Sequence, residues 1–519
     1  MRNLQKTLAL FGMMVTGSIA QLAGCANDAQ DCTLNYEACS TSGSSSSSGV
    51  IPPPPECAAL PSEKPEVIRD TCAYFVGGAK ASDDGDGNEL TPLKSLQKAV
   101  ELAAADKTGR SRVYVCGSVS ERIEMTAGVS VFGGFDCAGD EWQYDPNQRA
   151  TIAPAAPLAD AEFQASVRIR GNGTTNIEDV NIEAAAAVID GGSSIAVIVD
   201  QATVHFARAN LTAGDAKGGA TGATPSDDIG PDNADDMAIK GNNGATACMG
   251  GGSGNPGGAA KSNSSCAETV GGKGGNGQDL IAANAGDPGL PMVIGFGDGG
   301  AGEDAMQCKP GDDGAYGENG ADATGATGIG EISATGYIGM DGATGTKGTA
   351  GQGGGGGGGA KGKTNCNGAS GGSGGAGGCG GNGGFGGRFG GSSIAIVLLE
   401  GAVPKFDSVT IATGNGGAGG PGGIGQFGAV GGNPGTGGSG NMGTKAACNG
   451  GRGGQGGNGG QGGGGLGGHS IGIAYKKGAT APDTAGADIQ TGTAGNGGAG
   501  ADAAGNGGNG VKDNTHELN

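Results

Sequence analysis

A unit of about 24 residues returns three times in a chain otherwise dominated by glycine, and a unit that short cannot bury an apolar face unless it stacks on its own copies. The first copy is residues 191–214, GGSSIAVIVDQATVHFARANLTAG; the second is 390–414, GGSSIAIVLLEGAVPKFDSVTIATG; a more diverged third is 467–492, GGHSIGIAYKKGATAPDTAGADIQTG. In each the first half alternates: Ile195, Val197 and Val199 are matched by Ile394, Ile396 and Leu398 and by Ile471, Ile473 and Tyr475. A period of two is the mark of a β-strand. A second short strand follows at Val204 and Phe206, or Val403 and Phe406, then a corner near Leu211 or Ile411. The expected fold is all-β, a parallel β-helix in which Ile195, Ile394 and Ile471 stack as one inward-facing ladder.

Of the 123 glycines nearly all follow residue 190, where they fill about a third of the positions against ~7% in ordinary domains. Segments 215–389 and 415–466 therefore read as glycine-rich inserts leaving the same corner of successive coils, 390–414 and 467–492 as coils, and 493–519 as a glycine-rich C-terminal tail. Glycine recurs every third residue between 336 and 353, but no proline accompanies it, which excludes a collagen triple helix. Two outcomes stay open for the inserts. They form long loose loops, the expected result for chain so poor in apolar side chains, or they pack side by side as extended left-handed threefold helices with backbone amides bonding between neighbours. The cysteines within them favour order.

At the start of the chain, Arg2 and Lys6 precede a short apolar run, which ends in Leu22-Ala23-Gly24-Cys25. This resembles the lipobox of bacterial lipoproteins. The resemblance implies that 1–24 is a signal peptide and that Cys25 becomes the first mature residue, acylated on its sulfur and on its freed amine. Several acyl chains hold a protein firmly where one holds it marginally. Ala26 after the cysteine implies the outer membrane, with the protein surface-exposed on the cell envelope. Residues 25–56 then form a Ser/Pro-rich tether.

Thirteen cysteines less Cys25 leave twelve, an even number without a CxxC spacing, and the three histidines are scattered, so disulfides are expected rather than zinc. Sequence does not fix the pairing. The local pairs Cys32 with Cys39, Cys57 with Cys72 and Cys116 with Cys137 are the first candidates.

Residues 57–214 have ordinary composition and are expected to hold the cap and first coils. Thr91-Pro92 starts a helix running to about Ala105, with Leu93, Leu96, Val100 and Ala104 as its apolar stripe. Short β-patterned runs follow at coil-sized intervals, including RVYVC at 112–116 and GVSVFGGF at 128–135. With Ser82-Asp83-Asp84-Gly85-Asp86-Gly87 and Trp142, this order resembles the N-terminal cap and first rungs of right-handed parallel β-helix proteins of the pectin-lyase-like superfamily, bacterial surface proteins in particular. The glycine tracts are similar in composition to PGRS-type surface proteins. Neither resemblance implies a reaction.

Candidate chemistry is sparse. Asp83, Asp84, Asp86 and Asn88 offer hard oxygen ligands for calcium, but the twelfth position from Asp84 is Ser95, not the glutamate of an EF-hand. Asp279 in GGNGQDLIA and Asp304 in GGAGEDAMQ fit a calcium nonapeptide that works only in tandem, and these two stand apart. No cofactor is otherwise expected. No hydrolase or lyase constellation, nucleophile elbow or phosphate loop is recognisable. Arg168, Arg170 and Arg208 read as outward, solvated residues with no acidic set opposite them. A net charge of −21 repels phosphate backbones, which excludes nucleic acid as a partner. These features point to a lipid-anchored surface protein that binds membrane through its N-terminus and takes extracellular polysaccharide or other surface proteins as partners. Its expected role is structural, adhesive or matrix-binding, without catalysis. The alternatives are a polysaccharide lyase or hydrolase on the same scaffold and a calcium-dependent module.

Overall fold

Three parallel sheets of six strands each carry the body, in a computed structural model that describes residues 49–139, 141–157, 161–249 and 254–519. Cys25, Cys32, Cys39 and most of the tether lie outside the described residues.

The chain visits the sheets in rotation. Arg112–Cys116, Ser118–Val119 and Ile123–Thr126 enter the first, second and third sheets, and Ser130–Phe132, Ala150–Ile152 and Ala165–Arg170 lie on them in the same order. The circuit repeats with Thr174–Glu178, Val180–Ala184 and Ser194–Asp200, then with Thr203–Ala207, Asn210–Ala213 and Ser393–Leu398, then with Val403–Asp407, Val409–Thr413 and Ser470–Lys476. Ala487–Gln490 and Lys512–Leu518 close the second and third sheets, so the C-terminal segment expected to be tail supplies an edge strand. At the corner between the first and second sheets, Asp179, Arg208 and Ser408 each take positive φ, stacked at equivalent points of successive circuits. One left-handed residue per circuit turns the chain sharply without lengthening it.

Ile195, Ile394 and Ile471 are directly in register. They do not face inward. Alternation slips in this strand: Ala196, Val197 and Val199 join the central core, while Ile195 and Ile198 point to the other side. There the antiparallel hairpin of Glu331–Ser333 and Gly336–Ile338, inside the first insert, covers them with Ile332 and Tyr337. A strand buried on both faces reads as a near-continuous apolar run, and SIAVIV is one.

The helix is Leu96–Ala105, with Ser95 rather than Thr91 as its N-cap, since the Ser95 side chain accepts from the Lys98 amide at 3.1 Å. Thr91 is committed elsewhere: its hydroxyl bonds Asp86, and Leu93 runs beside Ala73–Gly77, exchanging backbone bonds with Phe75 and Gly77. Leu96, Ala99, Val100 and Ala103 bury into the central core. The Gln97 amide both accepts from Glu124 N and donates to Glu124 O, taking the place of a neighbour along the edge strand Ile123–Thr126. At the opposite edges, Pro404 and Lys405, and the charged Lys512–Leu518, deter further pairing.

The glycine inserts are ordered, so the packed reading describes them and the loose-loop reading is set aside. All three long excursions leave between a strand of the second sheet and one of the third. They run as extended segments whose backbone bonds recur every third residue. Gly342, Gly345, Gly348, Gly351, Gly354 and Gly357 donate to Gly387, Gly384, Gly381, Gly378, Gly375 and Gly372 in turn. Residues 353–359, seven consecutive glycines, have six neighbours. Their amides donate to residues 284–290, 372–375 and 309–312, and their carbonyls accept from 272–275, 300–303 and 448–451. Glycine is needed here for space rather than for conformation, because none of the seven has positive φ. A Cβ on Gly355, Gly356 or Gly357 would stand 2.0, 1.9 or 2.2 Å from a carbonyl oxygen of three different neighbours.

At the outer surface of this array an amide lacks a backbone acceptor, and a short polar side chain supplies one. Asn319, Asn243, Asn449 and Asn509 accept from the amides of Asn458, Thr436, Gly437 and Gly497, and Asp313 and Asp322 from those of Arg452 and Gln461. The four asparagines each precede a glycine: the first residue caps outward and the second packs inward.

The paired GGSS, GGSS and GGHS starts of the three repeats pin the corner where the inserts depart. Ser193 accepts from Ser392 N, and Ser392 from His469 N. His469 is fully buried; its Nδ1 accepts from Val511 N at 2.8 Å, so Nε2 carries the proton and donates to Ile329 O at 2.8 Å. Burial holds its pKa below the ordinary value, with a smaller push from His516. Because the unfolded chain takes up a proton below pH ~6.5 that the folded state refuses, stability falls as pH drops through that value. His469→Phe removes this pH dependence in urea titrations and costs about 1 to 2 kcal/mol at neutral pH by leaving two partly buried backbone groups without their partner.

Candidate interaction surface

Within the array one turn is made almost wholly of apolar side chains. Leu290-Pro291-Met292-Val293-Ile294-Gly295-Phe296 projects from the ends of two glycine segments, and its large side chains point into water: Met292 is 73% and Ile294 101% exposed, with Leu290, Val293 and Phe296 also exposed. Together they leave on the order of 500 Å² of apolar surface in solvent, at the upper end of what monomeric proteins tolerate without a binding role. Its neck is firmly held. Gly289 N donates to Gly297 O at 2.8 Å, and the buried Gln352 amide donates to Gly289 O and Phe296 O. This tongue is therefore presented on fixed ends. Sequence reasoning passed over it, although LPMVIGF, an apolar run inside glycine chain, was the available signal.

The far end of the array, where segments reverse, forms a second surface. Turns at 248–249, 278–283, 303–308, 361–367 and 441–447 are tied together by Cys248–Cys366, Cys308–Cys448, the Lys445–Glu303 ion pair at 2.7 Å, and amide bonds from Gly362 to Gln278 and Asp279. Met249, Leu280, Ile281, Met306 and Met442 stand exposed on this tip.

Cys57 pairs with Cys72 and Cys116 with Cys137, while Cys266–Cys379 joins the two far-end bridges in the array. Asp279 and Asp304 lie on separate tip turns, and Leu280, Ile281 and Met306 beside them face solvent, unlike the inward residues of a calcium roll. In the acidic turn, Asp86 accepts first from the Thr91 hydroxyl and then from the Asn88 amide, which lowers its pKa, and Asp83 pairs with Lys94 at the surface. Asp84 is exposed. Asp83 and Asp86 are thus taken up by neighbouring side chains, and among the described residues no three His, Cys, Asp or Glu side chains gather as a metal set.

Arg168 and Arg208 differ from expectation, while Arg170 is exposed as expected. Arg168 is buried, bonded to Glu124 at 2.9 Å and Glu162 at 2.8 Å, with Phe163 beneath it; Arg170 also reaches Glu124. Arg208 does face an acidic set. Asp179 is its equivalent one circuit earlier, and the guanidinium bonds both Asp179 and Glu178 at 2.9 Å while Tyr144 donates to Asp179. The bond to Asp179 leads in raising the Arg208 pKa, and desolvation leads in raising that of Glu178. Arg208→Ala leaves two buried carboxylates unpaired and lowers stability by about 2 to 3 kcal/mol, part of the cation's worth being screened by solvent. Chemical denaturation at neutral and acid pH checks this: the loss shrinks at acid pH, where the carboxyls protonate.

No protein-family model matches the chain, and no curated protein matches it. Among solved structures, the crystal structure of a GH136 lacto-N-biosidase from Eubacterium ramulus, a selenomethionine derivative, is 12% identical with a TM-score of 0.13, covering 27% of this chain and 30% of that one. The match thus spans less than a third of that protein, and at that score it carries no argument about fold or activity.

Proposed function

We propose that this is a lipid-anchored protein of the bacterial envelope, held in the outer membrane through acylated Cys25, with a right-handed parallel β-helix as its body and no catalytic role. Its task is structural, adhesive or matrix-binding, with extracellular polysaccharide or other surface proteins as partners. The rotation of the chain through three parallel sheets supports the helix, and crossovers between parallel strands are right-handed in nearly all proteins. The observation that carries the function is the tongue, an apolar turn held rigidly in water on a chain of net charge −21.

Mass spectrometry of protein extracted from membranes is expected to find acyl chains on Cys25. Cells carrying Ile294→Asp are expected to lose retention of surface matrix while the purified variant unfolds at the wild-type temperature; unchanged retention removes the tongue from this reading. Release of products from polygalacturonate or related uronans replaces it with the catalytic alternative.

A further inference from the structure

The tongue and the tip are complementary in charge as well as in apolar character. Around the tongue's neck stand Asp287, Asp298, Asp312 and Asp313, all exposed, with Arg452 on the adjacent segment. The tip carries Lys309, Lys361, Lys363 and Lys445 against Asp279, Glu303 and Asp304, and Glu303 is buried and already held by Lys445 and by the Lys361 amide. On so acidic a chain, an apolar patch with a lysine excess is matched by an apolar patch with an aspartate rim.

We propose that the tongue of one molecule docks on the tip of a second copy. The two surfaces are the opposite ends of one straight segment, residues 283–290, whose regular bonds to 270–276 and 297–303 fix its direction. At about 3.1 Å per residue they stand roughly 25 Å apart. The contact joins different patches of the two copies, so it is heterologous and adds molecules head to tail rather than pairing them as a symmetric dimer.

This rests on reading the tongue as an interaction element. The test is sedimentation velocity of the full chain from about 1 to 100 µM, at low salt and at about 0.5 M salt. Wild-type protein is expected to form a concentration-dependent series of species that salt weakens. Ile294→Asp on the tongue and Ile281→Asp on the tip, both at exposed positions, each weaken association at least about tenfold. An equimolar mixture of the two variants has one intact tongue and one intact tip between them, and is expected to give heterodimers and nothing larger. A wild-type chain that stays monomeric throughout overturns the inference, as does an Ile281→Asp chain that associates like wild type, which indicates tongue-to-tongue pairing. If the wild type is monomeric while Ile294→Asp still loses matrix retention, this inference falls and the interaction reading stands. If neither effect appears, both fall.

Discussion

Gly356→Ala lowers the stability of the protein by about 4 kcal/mol or more, among the largest effects a single methyl group produces. The new carbon would lie 1.9 Å from the Lys273 carbonyl oxygen and 3.0 Å from Gly274 N. Neither partner can retreat easily, since Gly356 donates to Asp287 and accepts from Gly300, and Lys273 accepts from Asp287 N. Gly508→Ala is the control. It sits in the same array without positive φ, and its nearest atom, on the Leu466 side chain, is 3.5 Å away. There alanine is expected to be neutral or to stabilise by up to about 1 kcal/mol, because it restricts the unfolded chain. Thermal unfolding of the two variants checks the pair. Equal effects at both sites would mean that glycine serves the array through composition alone.

The disulfides are expected to rank by the loops they close. Cys308–Cys448 spans 140 residues, Cys266–Cys379 spans 113 and Cys57–Cys72 spans 15. In the chain-entropy account, opening the longest costs close to 5 kcal/mol and the shortest about 3. Double serine variants measured by urea denaturation should therefore differ by roughly 2 kcal/mol in that order. A larger loss from Cys57–Cys72 would place the stabilisation in local packing instead.

Much of the body was legible because it obeys a period of two and repeats: three copies of one strand pattern fall directly in register at Ile195, Ile394 and Ile471. The direction those residues face was not legible. It depends on the hairpin of Glu331–Ser333 and Gly336–Ile338, far in sequence from all three strands, and a local pattern says nothing about what covers its second face. The glycine segments stayed undecided for a related reason. Apolar burial, the usual guide to order, is replaced there by backbone bonds between segments distant in sequence, and composition reports no such bonds. Lys512–Leu518, with three charged side chains, reads as tail until its parallel partner is known. The tongue was legible as an apolar run, but its meaning depends on exposure, which no periodicity encodes.

The threefold direction of side chains along each glycine segment also sets how such a protein changes length. Adding three residues to the outgoing arm of an excursion and three to the returning arm moves its turn outward by one step and leaves every inward position facing its old neighbour type. An insertion of one or two residues instead rotates all that follows, driving asparagine and threonine into the packed centre and turning glycine outward. Lineages of this protein should therefore differ by triplets in these arms, with the sheet register beneath untouched.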